Sequence, residues 1–190
     1  MSFSIDTAVD ISWFVVGLVW LLGLIGQKRK ARTEAVRNRF FHWGLFLLGF
    51  TLMGAKWLSE GWLGMRFVPE TAAVRTTGLA LTIVGCLFAI WARLTLGGNW
   101  SGRVSQMAGH ELITSGPYAL SRHPIYTGIV TGLAGTALVG GEWRHLLGAV
   151  LILLALLVKM NNEERLMMEV FPETYPRYRQ RVKALIPGLL

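Results

Sequence analysis

Imidazole, carboxylate and ammonium side chains gather in three places in the second half of this 190-residue chain. The first stretch reads Arg93-Leu-Thr-Leu-Gly-Gly-Asn99-Trp-Ser101, followed by His110-Glu-Leu-Ile-Thr-Ser-Gly-Pro-Tyr118. The second is Arg122-His-Pro-Ile-Tyr126, and the third carries Lys159, Glu163 and Glu164. A spacer needs none of this. Gly97, Gly98, Gly102 and the Gly116-Pro117 step permit tight turns, and between them polar and aromatic side chains are concentrated as in a binding loop. Pro124 fits the first turn of a helix and forces His123 out of the helical region, so the imidazole is held at a helix mouth. Free N–H groups at such a mouth favour an anion, for example an amino-acid carboxylate, and Arg122 adds a full positive charge. The plainer alternative has Arg122 reaching to lipid headgroups and His123 merely capping the helix. His110 and His123 are thirteen residues apart with no third ligand at a usual spacing, so no metal site is expected.

Lys159 and Glu163 stand at i, i+4 on one helix face. As an exposed pair they would contribute only ~0.3–0.5 kcal/mol. An acidic residue just below a short apolar span, facing the compartment of the histidine loop, also suits a cofactor's amine or ribose hydroxyls. Both readings stand. Beyond them Leu166, Phe171, Tyr175, Tyr178 and Val182 are spaced to pack an amphipathic tail against the domain or the membrane surface.

The elements that must position these groups are apolar helices. Hydrophobic residues make up 53% of the chain and charged ones 16%, with eight tryptophans, a bilayer composition. Runs at 11–26, 40–58, 74–96, 125–140 and 146–158 are nearly free of charge. Spanning a ~30 Å hydrocarbon core takes about 20 helical residues. An all-α polytopic protein of about five transmembrane helices is expected. The last two spans are short and joined only by residues 141–144, so they must form a tight hairpin whose ends line a cavity. The reading is one domain over 1–190, with N-terminal membrane helices in 1–92 and the chemistry, a cytosolic cofactor loop and a C-terminal amphipathic helix in 93–190.

The loop 27–39 carries Lys28, Arg29, Lys30, Arg32, Arg37 and Arg39 against Glu34 alone, which assigns it to the cytoplasm. Five spans then put the N-terminus outside and the residues after Lys159 inside, with the site facing the cytoplasm. Asp6 and Asp10 stand where a secretory signal would be basic, so the first run reads as a retained span. The net charge of +8 points to anionic lipid and not to nucleic acid. Cys86, the only cysteine, reads as a small core residue.

In order and spacing, Arg93, Gly97 and Asn99-Trp100, then His-x-Leu-Ile-x-x-Gly-Pro-Tyr, Arg-His-Pro-x-Tyr-x-Gly and Glu-Glu-x-x-Leu-x-x-x-Phe-x-x-x-Tyr-x-x-Tyr, resemble the isoprenylcysteine carboxyl methyltransferase and phospholipid methyltransferase superfamily. The resemblance covers residues 93–187. It implies a helical membrane enzyme that holds S-adenosyl-L-methionine in a cytosol-facing pocket and admits a lipidic substrate between helices. Carried over residue by residue, it assigns cofactor contacts to Gln106, His110, Glu111, Leu112, Ile113, Tyr118, His123, Pro124, Ile125, Tyr126 and Glu163, and catalytic positions to Arg93, Asn99 and Lys159. Lys159 stands where the carboxyl methyltransferases have a substrate-binding arginine, keeping the charge but losing the planar fork. Pro172 replaces the family's usual glycine.

Methyl transfer from a sulfonium is an in-line displacement, so the protein's work is alignment and exclusion of water. A carboxylate acceptor, with a pKa of about 4, is already ionised at neutral pH and needs no base. Arg93 and Lys159 would orient it. An amine must lose a proton, for which His123 or Glu163 is the nearby base. The expected acceptor is therefore a lipid-like or isoprenoid carboxylate, with phospholipid N-methylation or thiol methylation as the alternatives. An NADPH-dependent enzyme like the sterol reductases would need more spans and more arginines, and a non-catalytic lipid-binding protein would consume no S-adenosylmethionine. The compact form suits a prokaryotic inner membrane.

Overall fold

The computed structural model describes residues 4–23, 30–33, 36–97, 105–107 and 112–186, with side chains at 4–23, 42–97 and 112–186. Each of the five apolar runs supplies an α-helix among the described residues: α1 spans Ile5–Leu22, α2 Val36–Gly54, α3 Ala72–Leu96, α4 Pro124–Gly140 and α5 Trp143–Val170, and a short α6, Thr174–Arg181, follows. By length and composition α1, α3 and α5 can cross a membrane, whereas the apolar stretches His42–Gly54 and Pro124–Gly140 are shorter. The chain is thus an integral membrane protein. One departure from an all-helical chain is a short antiparallel ladder of β1, Lys30–Thr33, with β2, Ser105–Met107, in which Arg32 faces Gln106. Neither segment alternates apolar and polar residues, so periodicity gave no sign of it. The ladder joins the loop after α1 to the loop after α3, two loops that the charge distribution assigns to the same side.

The α4–α5 connection is as tight as expected. Gly141 ends α4 in the left-handed conformation at φ 70°, which glycine adopts without a Cβ clash, and Glu142 leads straight into α5. Helix pairing, however, does not follow the hairpin. A Cβ on Gly128 of α4 would lie 2.5 Å from the Ala89 nitrogen of α3, and one on Gly135 would lie 2.5 Å from the Thr82 nitrogen. On the other side, a Cβ on Gly49 of α2 would come within 2.8 Å of the Gly148 carbonyl of α5. Backbones touch at both contacts. In lipid, where apolar transfer gives helices little reason to associate, such close van der Waals approach supplies the attraction. Between the two pairs the contact is made by side chains, with Tyr126 and Leu133 of α4 in one core with Ile152 and Leu156 of α5. α1 is fixed to α4 by Trp13, whose Nε1 donates to Thr136 Oγ1 at 2.9 Å.

Polar side chains collect at the two ends. At one, Arg75 bridges Asp6 at 2.6 Å and Glu70 at 3.2 Å, while Arg144 pairs with Glu142 at 2.5 Å and donates to the Met53 carbonyl at 2.9 Å. The other end holds the candidate chemistry.

Candidate active site at the mouth of α4

His123 is the N-cap of α4 and Pro124 its first residue, so proline sets where the helix begins. The imidazole stacks on Tyr126, three residues on, with ring centroids 5.4 Å apart and planes 6° from parallel. α5, unbroken for 28 residues and hence about 42 Å long, brings two adjacent carboxylates to this ring. Glu164 Oε1 lies 3.2 Å from His123 Nε2, and Glu163 Oε2 lies 3.6 Å from Nδ1. The Tyr126 hydroxyl donates to Glu163 Oε2 at 2.7 Å, and Lys159 Nζ sits 3.4 Å from Glu163 Oε1 and 5.3 Å above the Tyr126 ring. Both imidazole nitrogens face carboxylate oxygens, an arrangement that suits the doubly protonated ring. Burial opposes that charge. The Glu163 and Glu164 carboxylates beside the ring, the latter accepting from Nε2, outweigh it and hold the His123 pKa above its ordinary value.

Glu164 is a hub. Arg122 Nε and Nη2 both reach its Oε1 at 2.7 Å, and Arg179 Nε of α6 reaches Oε2 at 3.3 Å. Arg122 also donates to the carbonyls of Arg179 and Val182. This corrects both readings of Arg122. It neither lends a free charge to the helix mouth nor reaches for headgroups, because Glu164 and the carbonyls use its donors and its side chain is 8% exposed. The mouth itself is also partly filled. The Arg122 N–H donates to the Lys183 carbonyl at 2.8 Å and the His123 N–H to the Ala184 carbonyl at 3.0 Å, so these two amides are not open to an anion. Residues 182–186 thus form a strap over α4, secured further by Ser121 Oγ to the Ala184 carbonyl and Thr127 Oγ1 to the Leu185 carbonyl, each at 2.6 Å.

The structure brings together Tyr118, His123, Pro124, Ile125, Tyr126, Lys159 and Glu163. Tyr118 is buried, receives the Tyr178 hydroxyl on its carbonyl at 2.6 Å and points its own hydroxyl to the Ala92 carbonyl. Leu112 and Ile113 are half-buried on the approach to Tyr118, with Ile113 packed on the core. Arg93, 4% exposed, sends Nη2 to the Gly23 carbonyl at 2.7 Å and Nη1 to the Gly97 carbonyl at 3.0 Å, tying the ends of α1 and α3 together. Asn99, His110 and Glu111 lie outside the described residues, as does the side chain of Gln106, whose backbone is in β2. The roles of Glu164, Ser121 and the strap were missed in the sequence. The Glu163-Glu164 doublet was a usable signal, because neighbours on a helix are about 100° apart and can flank one planar ring from two sides. Nothing local marks the strap.

Residues 78–169 match the model of the isoprenylcysteine carboxyl methyltransferase (ICMT) family. The chain is 27% identical to the cobalt-zinc-cadmium resistance protein CzcN of Cupriavidus metallidurans over 86% of this chain and 70% of that protein. It is 24% identical to methanethiol S-methyltransferase 2 of Bradyrhizobium diazoefficiens over 95% of this chain and 88% of that protein. Among solved structures it is similar to the eukaryotic intramembrane Ras methyltransferase ICMT, with 25% identity and a TM-score of 0.52 over 80% of this chain. The match takes in 51% of that chain, so this protein spans about half of its length. With the helical fold and the ordered motifs at the α4 mouth, these matches make the chain similar to the ICMT family over the region that holds the site.

Proposed function

We propose that this protein is an S-adenosylmethionine-dependent methyltransferase that methylates a lipid-like or isoprenoid acid, with α2 and α4 completing five membrane spans and the site facing the cytoplasm. The observation that carries the reading is the cluster of His123, Tyr126, Lys159 and Glu163 at the meeting of a helix mouth and a helix end. When bound, S-adenosylmethionine supplies a methyl group on a sulfonium, activated for in-line displacement.

The residues present fit such a group. Glu163 keeps 23% of its side chain exposed beyond its contacts with Tyr126 and Lys159, which leaves a carboxylate able to receive an ammonium or ribose hydroxyls. Tyr118 and Tyr126 set aromatic rings beside it, the Tyr126 ring held by its stack on His123. His123 and Pro124 fix the mouth, and Ile125 and Ile113 provide apolar walls that exclude water. Gln106, His110, Glu111 and Leu112 complete the proposed cofactor set from the preceding loop, and Asn99 the catalytic one.

The acceptor class follows from charge. Arg122, His123, Lys159 and Arg179 surround two carboxylates, so with His123 protonated the neighbourhood is net positive and draws an ionised acid. Lys159 orients that acid from α5, and Arg93 acts from the end of α3. His123 Nε2 is engaged by Glu164 and Nδ1 faces the Glu163 carboxylate, so neither ring nitrogen is turned toward an amine that must give up a proton. Thiol methylation is the second reading, favoured by the similarity to methanethiol S-methyltransferase 2.

The test is calorimetry of S-adenosylmethionine binding to detergent-purified protein. Wild type should bind, and His123→Ala and Glu163→Ala should not; a folded wild type that fails to bind removes the reading. Labelled methyl transfer to matched isoprenoid acid, amine and thiol then assigns the acceptor. Arg93→Ala should abolish turnover and spare cofactor binding, whereas full turnover removes its catalytic assignment.

A further inference from the structure

The outer face of α6 and the strap present a surface that the methyl-transfer reading leaves unused. At about 100° per residue, Tyr175 and Tyr178 share the inner face of α6 and Arg177 and Arg181 the opposite one. The tyrosines are 3% and 4% exposed, while Arg177, Arg181 and Lys183 are all exposed. Residues 174–186 contain four arginines and lysines and no acidic residue. Of the four, only Arg179 turns inward, to Glu164.

The height of this surface is fixed by its hydrogen bonds. The Ala184 carbonyl accepts from the His123 N–H and the Leu185 carbonyl from Thr127 in the first turn of α4. The strap therefore lies where α4 enters its apolar stretch, which is the level of the headgroup layer when α4 spans the membrane as proposed above. Leu120 and Ile186, on either side of the Ser121–Ala184 hydrogen bond, are 49% and 48% exposed. Exposed apolar side chains beside a basic helix face, whose one acidic neighbour is Glu173 at the α6 N-cap, are what an interfacial element at the membrane boundary requires. A soluble acidic partner or a nucleic acid would not need the apolar residues, nor the placement at the boundary.

We propose that the basic face of α6 and Lys183 dock on the headgroups of anionic phospholipids, and that this docking holds the strap down over the α4 mouth. Anionic lipid attracts each basic side chain near its surface by roughly fivefold in occupancy, and salt weakens the attraction. The inference is independent of the chemistry proposed for the site.

The experiment is hydrogen exchange of residues 174–186 in the full chain, reconstituted in nanodiscs of phosphatidylcholine alone or mixed with phosphatidylglycerol. Exchange should slow at least about fivefold with phosphatidylglycerol, and the slowing should fade as salt is raised. The triple variant Arg177→Gln, Arg181→Gln, Lys183→Gln should not respond to lipid charge; Arg179 is left in place because it pairs with Glu164. Unchanged wild-type exchange between the two lipids overturns the proposal, as does a triple variant that responds like wild type. Should the variant lose protection in α3 and α4 as well, and so prove unfolded, the wild-type lipid and salt series decides alone.

Discussion

The two ends of the bundle use the same side chains to different effect. At the end where the chain begins, Arg75 is 24% exposed and its partners Asp6 and Glu70 are 64% and 57% exposed, so water weakens both pairs. Arg144 there is as buried as Arg122, but it meets one carboxylate, and the neighbouring His145 has no hydrogen-bond partner for Nδ1 among the described residues. At the opposite end two carboxylates converge on one imidazole, and every member of the cluster bears on another. The first end fastens loops to helices. The second holds a ring in one orientation, which is the condition for a site and not merely for a joint.

Breaking the hub of each end should separate them most. Glu164→Ala leaves Arg122 and His123 facing each other without their shared carboxylate and should destabilise the protein by about 3–5 kcal/mol. Glu142→Ala removes a carboxylate from Arg144, which keeps the carbonyls of Met53 and Leu52, and should cost about 1.5 kcal/mol. Thermal unfolding in detergent reads both, and equal losses would erase the distinction. A smaller effect is the pH dependence. The folded-state pKa of His123 is raised above 6.5, so its ion pairs contribute fully below that pH and are lost as pH rises through the folded value. The melting temperature of wild type should fall as pH is raised from about 6.5, and the fall should flatten in His123→Gln. Asp6→Ala should be the mildest change, below ~1 kcal/mol, because its pair with Arg75 is exposed.

Much of the scaffold was legible because membrane helices announce themselves by uninterrupted apolar length. Each of the five runs supplies a helix among the described residues, and Pro124 marked the start of α4 because its ring leaves few other places in a helix. Which helix packs on which was less visible, since the short α4–α5 turn draws attention to the hairpin. The glycines at 78, 85, 128, 132 and 135 did carry the signal, as small residues recurring on one face. Within the site, the Lys159–Glu163 pair followed from i, i+4 spacing and is present. Glu164 escaped because its role depends on Arg122 and Arg179, far away in sequence and brought near only by the return of the tail. The strap escaped for the same reason: its contacts are made by main-chain carbonyls, which are identical at every position and leave no trace in residue type.

The two glycine-lined contacts divide the membrane region into staves. Where backbones touch, no side-chain rotamer can change to admit movement, so the contacts within the α3–α4 and α2–α5 pairs are the stiff ones. The seam between the staves is filled by Tyr126, Leu133, Ile152 and Leu156, whose torsions can readjust. His123 and Tyr126 ride on one stave and Lys159, Glu163 and Glu164 on the other. The cluster is therefore assembled across the seam, like a clasp with one half on each stave, and its geometry is only as true as the fit of the two.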